Sequence, residues 1–115
     1  MATEDCLFCK MVSGEFPVDK LHDDNLIFAI ADIAPRAPTH IVLIPNQHIA
    51  SAREVTADHA PLIGHMVTVA QELARNAGVF ESGYRLAINV GEDGGQTIFH
   101  LHMHLLGGHK LGPEG

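Results

Sequence analysis

The segment His100-Leu101-His102-Met103-His104 sets three imidazoles at alternating positions. On a strand, successive side chains point to opposite faces. The three His then share one face, with neighbours about 7 Å apart. Phe99, Leu101, Met103 and Leu105 share the other face, which suits a core. Such a row of imidazoles has three readings. It is a solvent-facing polar row, a catalytic metal site with three ligands and an open position, or a nucleophilic site. In the last, one His attacks while its neighbours orient it and move protons. The loop Gly91-Glu92-Asp93-Gly94-Gly95-Gln96-Thr97 runs straight into this segment. Its glycines either serve a turn or let backbone N–H groups close on an oxyanion or phosphate, to which Thr97 adds a hydroxyl. Asn89 offers an amide just upstream.

A second group is Cys6-Leu7-Phe8-Cys9. This CxxC is a redox pair, half of a zinc site, or two buried thiols. A thioredoxin-like pair needs a preceding strand and a βαβ unit, and the sequence offers neither. Zinc needs two further ligands.

The elements that must position these groups alternate over short spans. Cys6 to Val12 reads as a short helix closed by Ser13-Gly14. Lys20–His22 reads as a short strand, followed by a turn at Asp23-Asp24-Asn25. Leu26–Ala31 is an apolar run of strand length, Asp32–Pro38 a loop, and His40–Ile44 a strand stopped by Pro45-Asn46. Leu62, Ile63, Met66, Val67, Val69, Ala70, Leu73 and Ala74 mark one face of a long helix. Thr56 or Asp58 caps it, Pro61 falls in its first turn, and Asn76 and Gly78 end it. Tyr84–Val90 and Ile98–Leu106 read as strands. The expected class is α+β: an antiparallel sheet of about five strands, one long helix and one short N-terminal helix.

Composition bounds the rest. The 115 residues suit a single domain over 1–115, with short flexible termini at about 1–4 and 109–115. Apolar residues make up 46% and charged residues 18%, which fits a folded globular chain. The net charge of −7 and the lack of a Lys/Arg stripe exclude a nucleic-acid backbone as partner. No apolar run reaches the ~18–20 residues that cross a bilayer. The acidic start, Met1 to Asp5, lacks the basic region of a signal peptide. Two Cys exclude a disulfide framework. The expected location is cytoplasmic.

His100 to Leu106 matches the pattern His-φ-His-φ-His-φ-φ in full, where φ is apolar. Together with Asp32 to His48, and Asn89-Val90-Gly91 through Gly95-Gln96-Thr97, it resembles the Hint-like branch of the histidine triad (HIT) superfamily. The likeness runs from about Cys6 to Gly108. It implies that His102 attacks the α-phosphorus of a nucleotide, giving a nucleotidyl-histidine that water hydrolyses. It implies that His104 contacts phosphate oxygens and helps the leaving group, and that His40 orients His102 or shares its proton chemistry. Asn89, Gly95, Gln96 and Thr97 would hold phosphate. Asp32 would accept from ribose hydroxyls. Ile33 and some of Phe8, Phe28 and Ile30 would line a purine pocket.

The implied activity is hydrolysis of the P–N bond in AMP- or GMP-linked amines, by a homodimer whose sheets join, with no organic cofactor. The set Cys6, Cys9, His48 and His100 resembles the structural zinc site of bacterial HIT proteins, which would make His100 scaffold. Two departures stand out: Thr97 replaces the usual Ser, and His109 stands where Arg is common. Three rivals follow: a dinucleoside polyphosphate hydrolase of the Fhit type, a zinc-stabilised nucleotide-binding module with little turnover, and a zinc hydrolase with its metal on His100, His102 and His104. His22, His59, His65 and His109 receive no role.

Overall fold

The protein is described here over residues 5–115 of a computed structural model; the expected flexible segment 1–4 lies outside them. In chain order the elements are α1 (Leu7–Ser13), β1 (His22–Asp23), β2 (Ile27–Ala31), β3 (Thr39–Pro45), α2 (Ala60–Ala77), β4 (Tyr84–Ala87) and β5 (Met103–Gly107). The strands form one sheet in the order β1-β2-β3-β5-β4, with every pair antiparallel. This is the α+β architecture read from the sequence.

The sheet is buried on both faces around its centre, which explains why Leu26–Ala31 is continuously apolar instead of alternating. Ile27, Ala29, Ile41, Leu43, Leu101, Met103 and Leu105 point to one side, against Leu62, Met66, Val69, Ala70, Leu73 and Ala74 of α2. Phe28, Ile30, Val42 and Ile44 point to the other, against Cys6, Phe8 and Met11 at α1. Each fully buried Leu or Ile contributes roughly 1.5–3 kcal/mol, so this two-sided core fixes the register. Phe28 and Ile30 are therefore core residues.

The expected caps of α2, Thr56 and Asp58, lie one turn ahead of it in a short 3-10 turn, and His59 stands at its N-cap. Thr56 opens a 3-10 turn over Ala57–His59, and the backbone N–H of Thr56 donates to His59 Nδ1 at 2.9 Å. Pro61 sits in the first turn of α2, where a missing N–H costs little. Gly78 closes the helix in the left-handed region, with its N–H reaching Ala74 and Arg75 carbonyls.

Two strands are shorter than expected. β4 ends at Ala87. β5 begins at Met103, so the first two triad His precede the ladder. The cause is Pro45. The β3–β5 register pairs Leu43 with Met103, and continuing it would set Pro45 opposite Leu101. Proline has no N–H to give, and the ladder stops. Leu101 N–H instead donates to Ile49 O at 2.6 Å. The side-chain parity survives this break for Leu101, His102 and His104. It fails at Phe99, expected on the core face but 51% exposed, because residues 98–100 bend away. The first strand lies at His22–Asp23, slightly beyond the expected Lys20–His22. The tail is anchored: Arg85 Nη2 donates to Gly112 O at 2.6 Å.

Candidate active site and metal centre

On the α1 side of the sheet a cavity of about 400 Å³ opens over β3 and β5. His102 and His104 form part of its wall, with Asp32, Asn89, Gly95 and Thr97. Each of these residue types was expected there. His40 lies just behind His104 and is buried.

The hydrogen bonds fix which ring nitrogens carry protons. His102 Nδ1 lies 2.7 Å from the His100 carbonyl. A carbonyl only accepts, so Nδ1 holds a hydrogen, and in the neutral tautomer this selects the lone pair lies on Nε2. The ring of Phe8 stands edge-on to His102, with centroids 5.3 Å apart, and restrains its tilt. For His40, the Arg36 backbone N–H donates to Nδ1 at 3.1 Å. Its hydrogen therefore sits on Nε2 and donates to His104 Nδ1 at 2.9 Å, with Asp32 Oδ2 at 3.4 Å. His104 in turn carries its hydrogen on Nε2. The three rings thus differ in what they offer: His102 has Nδ1 tied to a carbonyl, His104 carries an N–H on Nε2, and His40 sets the tautomer of His104.

Burial keeps the last two neutral. His104 is pushed down to about 4 by burial, then by neighbouring His102, His40 and Arg36. His40 is lowered by burial and by Arg36, with Asp32 opposing. The unfolded His104 titrates near 6.5. Between 6.5 and about 4 the unfolded chain then binds more protons than the folded one. Stability from this group is complete above 6.5 and is lost as pH falls toward 4. The urea midpoint should drop as pH is lowered from 7 to 4.5, and should drop less in His104→Gln. Equal slopes in the two proteins would contradict this reading.

The loop before β5 is closed by Gln96 and does not use it as a phosphate ligand. Gln96 is 5% exposed. Its Oε1 accepts from Gly91 N–H at 3.0 Å, and its Nε2 donates to Ala50 O at 2.8 Å and Ile98 O at 3.1 Å. Gln96 therefore positions Gly95 and Thr97 from behind. Asn89 Nδ2 donates to Gly94 O at 2.8 Å, holding the loop from the other end. Gly95 has φ +87, a conformation side chains rarely adopt, and Gly94 has the Val90 carbonyl where a Cβ would stand. Gln96→Leu would leave a buried N–H and two carbonyls without partners, costing about 1–3 kcal/mol. It should lower the urea midpoint and reduce turnover while the three His stay in place. No change in either would refute the brace.

Ile33 does not reach the cavity. It is 98% exposed on the loop between β2 and β3. Phe8 does line it, with Val42 and Ile98. Sequence reasoning missed Arg36, which brings a positive charge to a chain of net charge −7. Its signal was its place between Pro35 and Pro38, only four residues from Asp32.

The second cluster lies on the other side of His100. Cys6 Sγ is 3.2 Å from His100 Nδ1, Cys9 Sγ is 3.3 Å from His48 Nδ1, and the two Nδ1 atoms are 3.2 Å apart. All four donor atoms lie within 4.8 Å of one another and could hold a metal ion. With metal–nitrogen bonds of about 2.0 Å and metal–sulfur bonds of about 2.3 Å, a tetrahedron has edges of about 3.3–3.8 Å, close to these spacings. His100 Nε2–H donates to Pro45 O at 2.8 Å, leaving Nδ1 bare for the ion. Burial lowers His100, which keeps it neutral. Burial, and then Cys6, push the Cys9 thiol up to about 11, so an ion binding there must displace a proton.

The reading of His100, His102 and His104 as three ligands of one catalytic metal is corrected. His100 turns Nδ1 to the cysteines, and His102 commits Nδ1 to a carbonyl. The rings do not converge.

Fold and site together define a histidine triad protein. The family model described as scavenger mRNA decapping enzyme C-term binding matches residues 5–113, and the chain belongs to that family within the HIT superfamily. The purine nucleoside phosphoramidase of Escherichia coli strain K12 is 46% identical over 110 residues, covering 96% of this chain and 92% of that protein. A HIT family hydrolase from Legionella pneumophila Philadelphia 1 superposes with TM-score 0.93 at 44% identity, covering 96% of this chain and 99% of that one. A Zn-bound histidine triad family protein from Mycobacterium smegmatis gives TM-score 0.79 at 30% identity, covering 92% of this chain and 76% of that one.

Proposed function

We propose that the protein is a purine nucleoside phosphoramidate hydrolase that releases AMP or GMP and an amine. The observation that carries this is the bare His102 Nε2 facing a phosphate-sized cradle. Its tautomer is set by the His100 carbonyl. The lone pair attacks the α-phosphorus, a P–N bond to the ring forms, and the bond to the amine breaks. The amine leaves with the bonding pair and takes up a proton from water. The charge gained by the ring is stabilised by its Nδ1–H on the carbonyl. Water then attacks the phosphorus, and the electron pair returns to Nε2. Net, one water is consumed, its hydroxyl ending on phosphorus and its hydrogen on the amine. Splitting one hard displacement into two easier ones is the gain from a covalent intermediate.

The other side chains serve this sequence. Neutral His104 donates Nε2–H to a phosphoryl oxygen. Thr97, the Gly95 N–H and Asn89 hold the remaining oxygens, Arg36 adds charge, and Asp32 accepts from ribose hydroxyls. The relative named a purine nucleoside phosphoramidase supports the substrate class. Zinc on Cys6, Cys9, His48 and His100 is the ion that suits two thiolates and two imidazoles, and the Zn-bound relative supports it. Bound, it would tie α1 to the His100 segment as a closed structural site, leaving the chemistry to the imidazoles.

The chain acts as a single domain and a homodimer. The β4 edge has no strand beyond it among the described residues, and pairing two such edges would join the sheets. Two free thiols suit a reducing cytoplasm. No helix among the described residues is long and apolar enough to cross a membrane.

The test offers the purified protein AMP-linked amines and diadenosine polyphosphates side by side. Preferred P–N cleavage supports the proposal. Faster polyphosphate cleavage would move the protein to the Fhit-type reading, and binding without turnover to a nucleotide-binding module.

A further inference from the structure

Two His without a role in the chemistry, His22 and His65, meet on one carboxylate, that of Asp24, two residues from His22 and 41 from His65. His22 lies on β1, Asp24 in the turn after it, and His65 on α2. His22 Nε2 donates to Asp24 Oδ2 at 2.6 Å, and His65 Nε2 donates to the same oxygen at 2.7 Å. The other oxygen, Oδ1, accepts backbone N–H groups of Leu26 at 2.7 Å and Ile27 at 2.9 Å. Asn46 Nδ2 holds the Asp24 carbonyl at 3.1 Å. The carboxylate is thus fixed in place, and only Oδ2 is left to face the rings.

Burial alone would raise the Asp24 carboxyl. The hydrogen bonds from His22, His65, Ile27 and Leu26 together outweigh it and hold it well below the usual carboxylate range. It stays ionised well into the acid range.

We propose that His22, Asp24 and His65 form a second metal site, which takes a divalent ion of the nickel–copper–zinc group and joins α2 to the β1 edge of the sheet. Two imidazoles and one carboxylate are the donor set these ions favour, whereas magnesium and calcium prefer oxygen throughout. Among the described residues neither ring uses Nδ1 in a hydrogen bond to protein. Moving each hydrogen from Nε2 to Nδ1 therefore frees two lone pairs without breaking another protein contact. An ion about 2.0 Å from each donor needs donor separations of about 3.3 Å, so each ring must withdraw by about 0.6 Å from its present 2.6–2.7 Å. The three side chains are 29–33% exposed, which gives room for that movement and a solvent path for the ion. Oδ1 stays on its two N–H groups, the outer support that ligating carboxylates need. The site shares no residue with the Cys6–Cys9 cluster, and the proposal stands whichever ion that cluster holds.

Protein already saturated with one zinc per chain is titrated with zinc by calorimetry. One further equivalent per chain is expected. It should be absent or at least tenfold weaker in His22→Ala and His65→Ala, and unchanged in His109→Ala, an exposed ring outside the cluster. Hydrolysis should be unchanged in His65→Ala. As a check that needs no variant, substoichiometric nickel should broaden the ring resonances of His22 and His65 before those of His59 and His109. No second equivalent, a second equivalent that survives both substitutions, or unbroadened His22 and His65 resonances would each overturn the site.

Discussion

Replacing His102 by Ala should abolish P–N cleavage, lowering turnover by a factor on the order of 10⁴ or more. The size of the loss follows from the division of labour in the site. His104 commits Nδ1 to His40, and His100 commits Nδ1 to the cysteines. Neither can present a lone pair to the cavity without giving up its partner. What remains after the substitution is positioning and the donors around the phosphoryl oxygens, which supply only part of the acceleration. The fold should persist, because His100 in the Cys6–Cys9 cluster and the core residues Leu101 and Met103 are untouched. Circular dichroism and metal content should match the wild type. Substantial turnover in His102→Ala would refute the nucleophile.

Replacing Cys6 by Ser should do the reverse. The chain should lose its bound metal and unfold at a temperature lower by on the order of 10–20 °C, while His102 remains competent in what stays folded. A seven-residue helix such as α1 has no independent stability, and its attachment rests on Phe8, Met11 and the Cys6–Cys9 cluster. Losing one of four ligands opens that cluster, and a loss of ~3–5 kcal/mol gives a shift of this size in a small domain. Some activity should be lost as well, because His100 carries the carbonyl that fixes the His102 tautomer. That loss should be far smaller than in His102→Ala. Metal content by elemental analysis and thermal unfolding check this; unchanged metal and unchanged unfolding would refute the cluster as a metal centre.

Much of this arrangement was legible in the sequence, for physical reasons. The i, i+2 parity of the His and of Leu101, Met103 and Leu105 is set by the extended backbone, and it survives even where the ladder stops. The 3.6 periodicity of α2 and its Pro61 and Gly78 signals gave the helix. The ligand set Cys6, Cys9, His48 and His100 came through family resemblance, since CxxC alone leaves three readings open. The late start of β5 was hidden because it depends on register: only β3 pairing sets Pro45 opposite Leu101. Gln96 looked like a phosphate ligand by its place in a glycine loop, but its partner Ala50 is 46 residues away. Ile33 next to Asp32 suggested a pocket wall, and the loop turns it to solvent. Arg36, His22 and His65 gained meaning only once tertiary packing brought distant residues together.

The central claim is a covalent bond between His102 and a nucleotide. It is tested most directly by mixing the protein with an AMP-linked amine, quenching under alkaline conditions within a turnover, and mapping peptides by mass spectrometry. An adenylyl group on His102, absent in His102→Ala, is the predicted result. An active enzyme that shows no such adduct in the quenched turnover, or that carries it on another residue, would contradict the account.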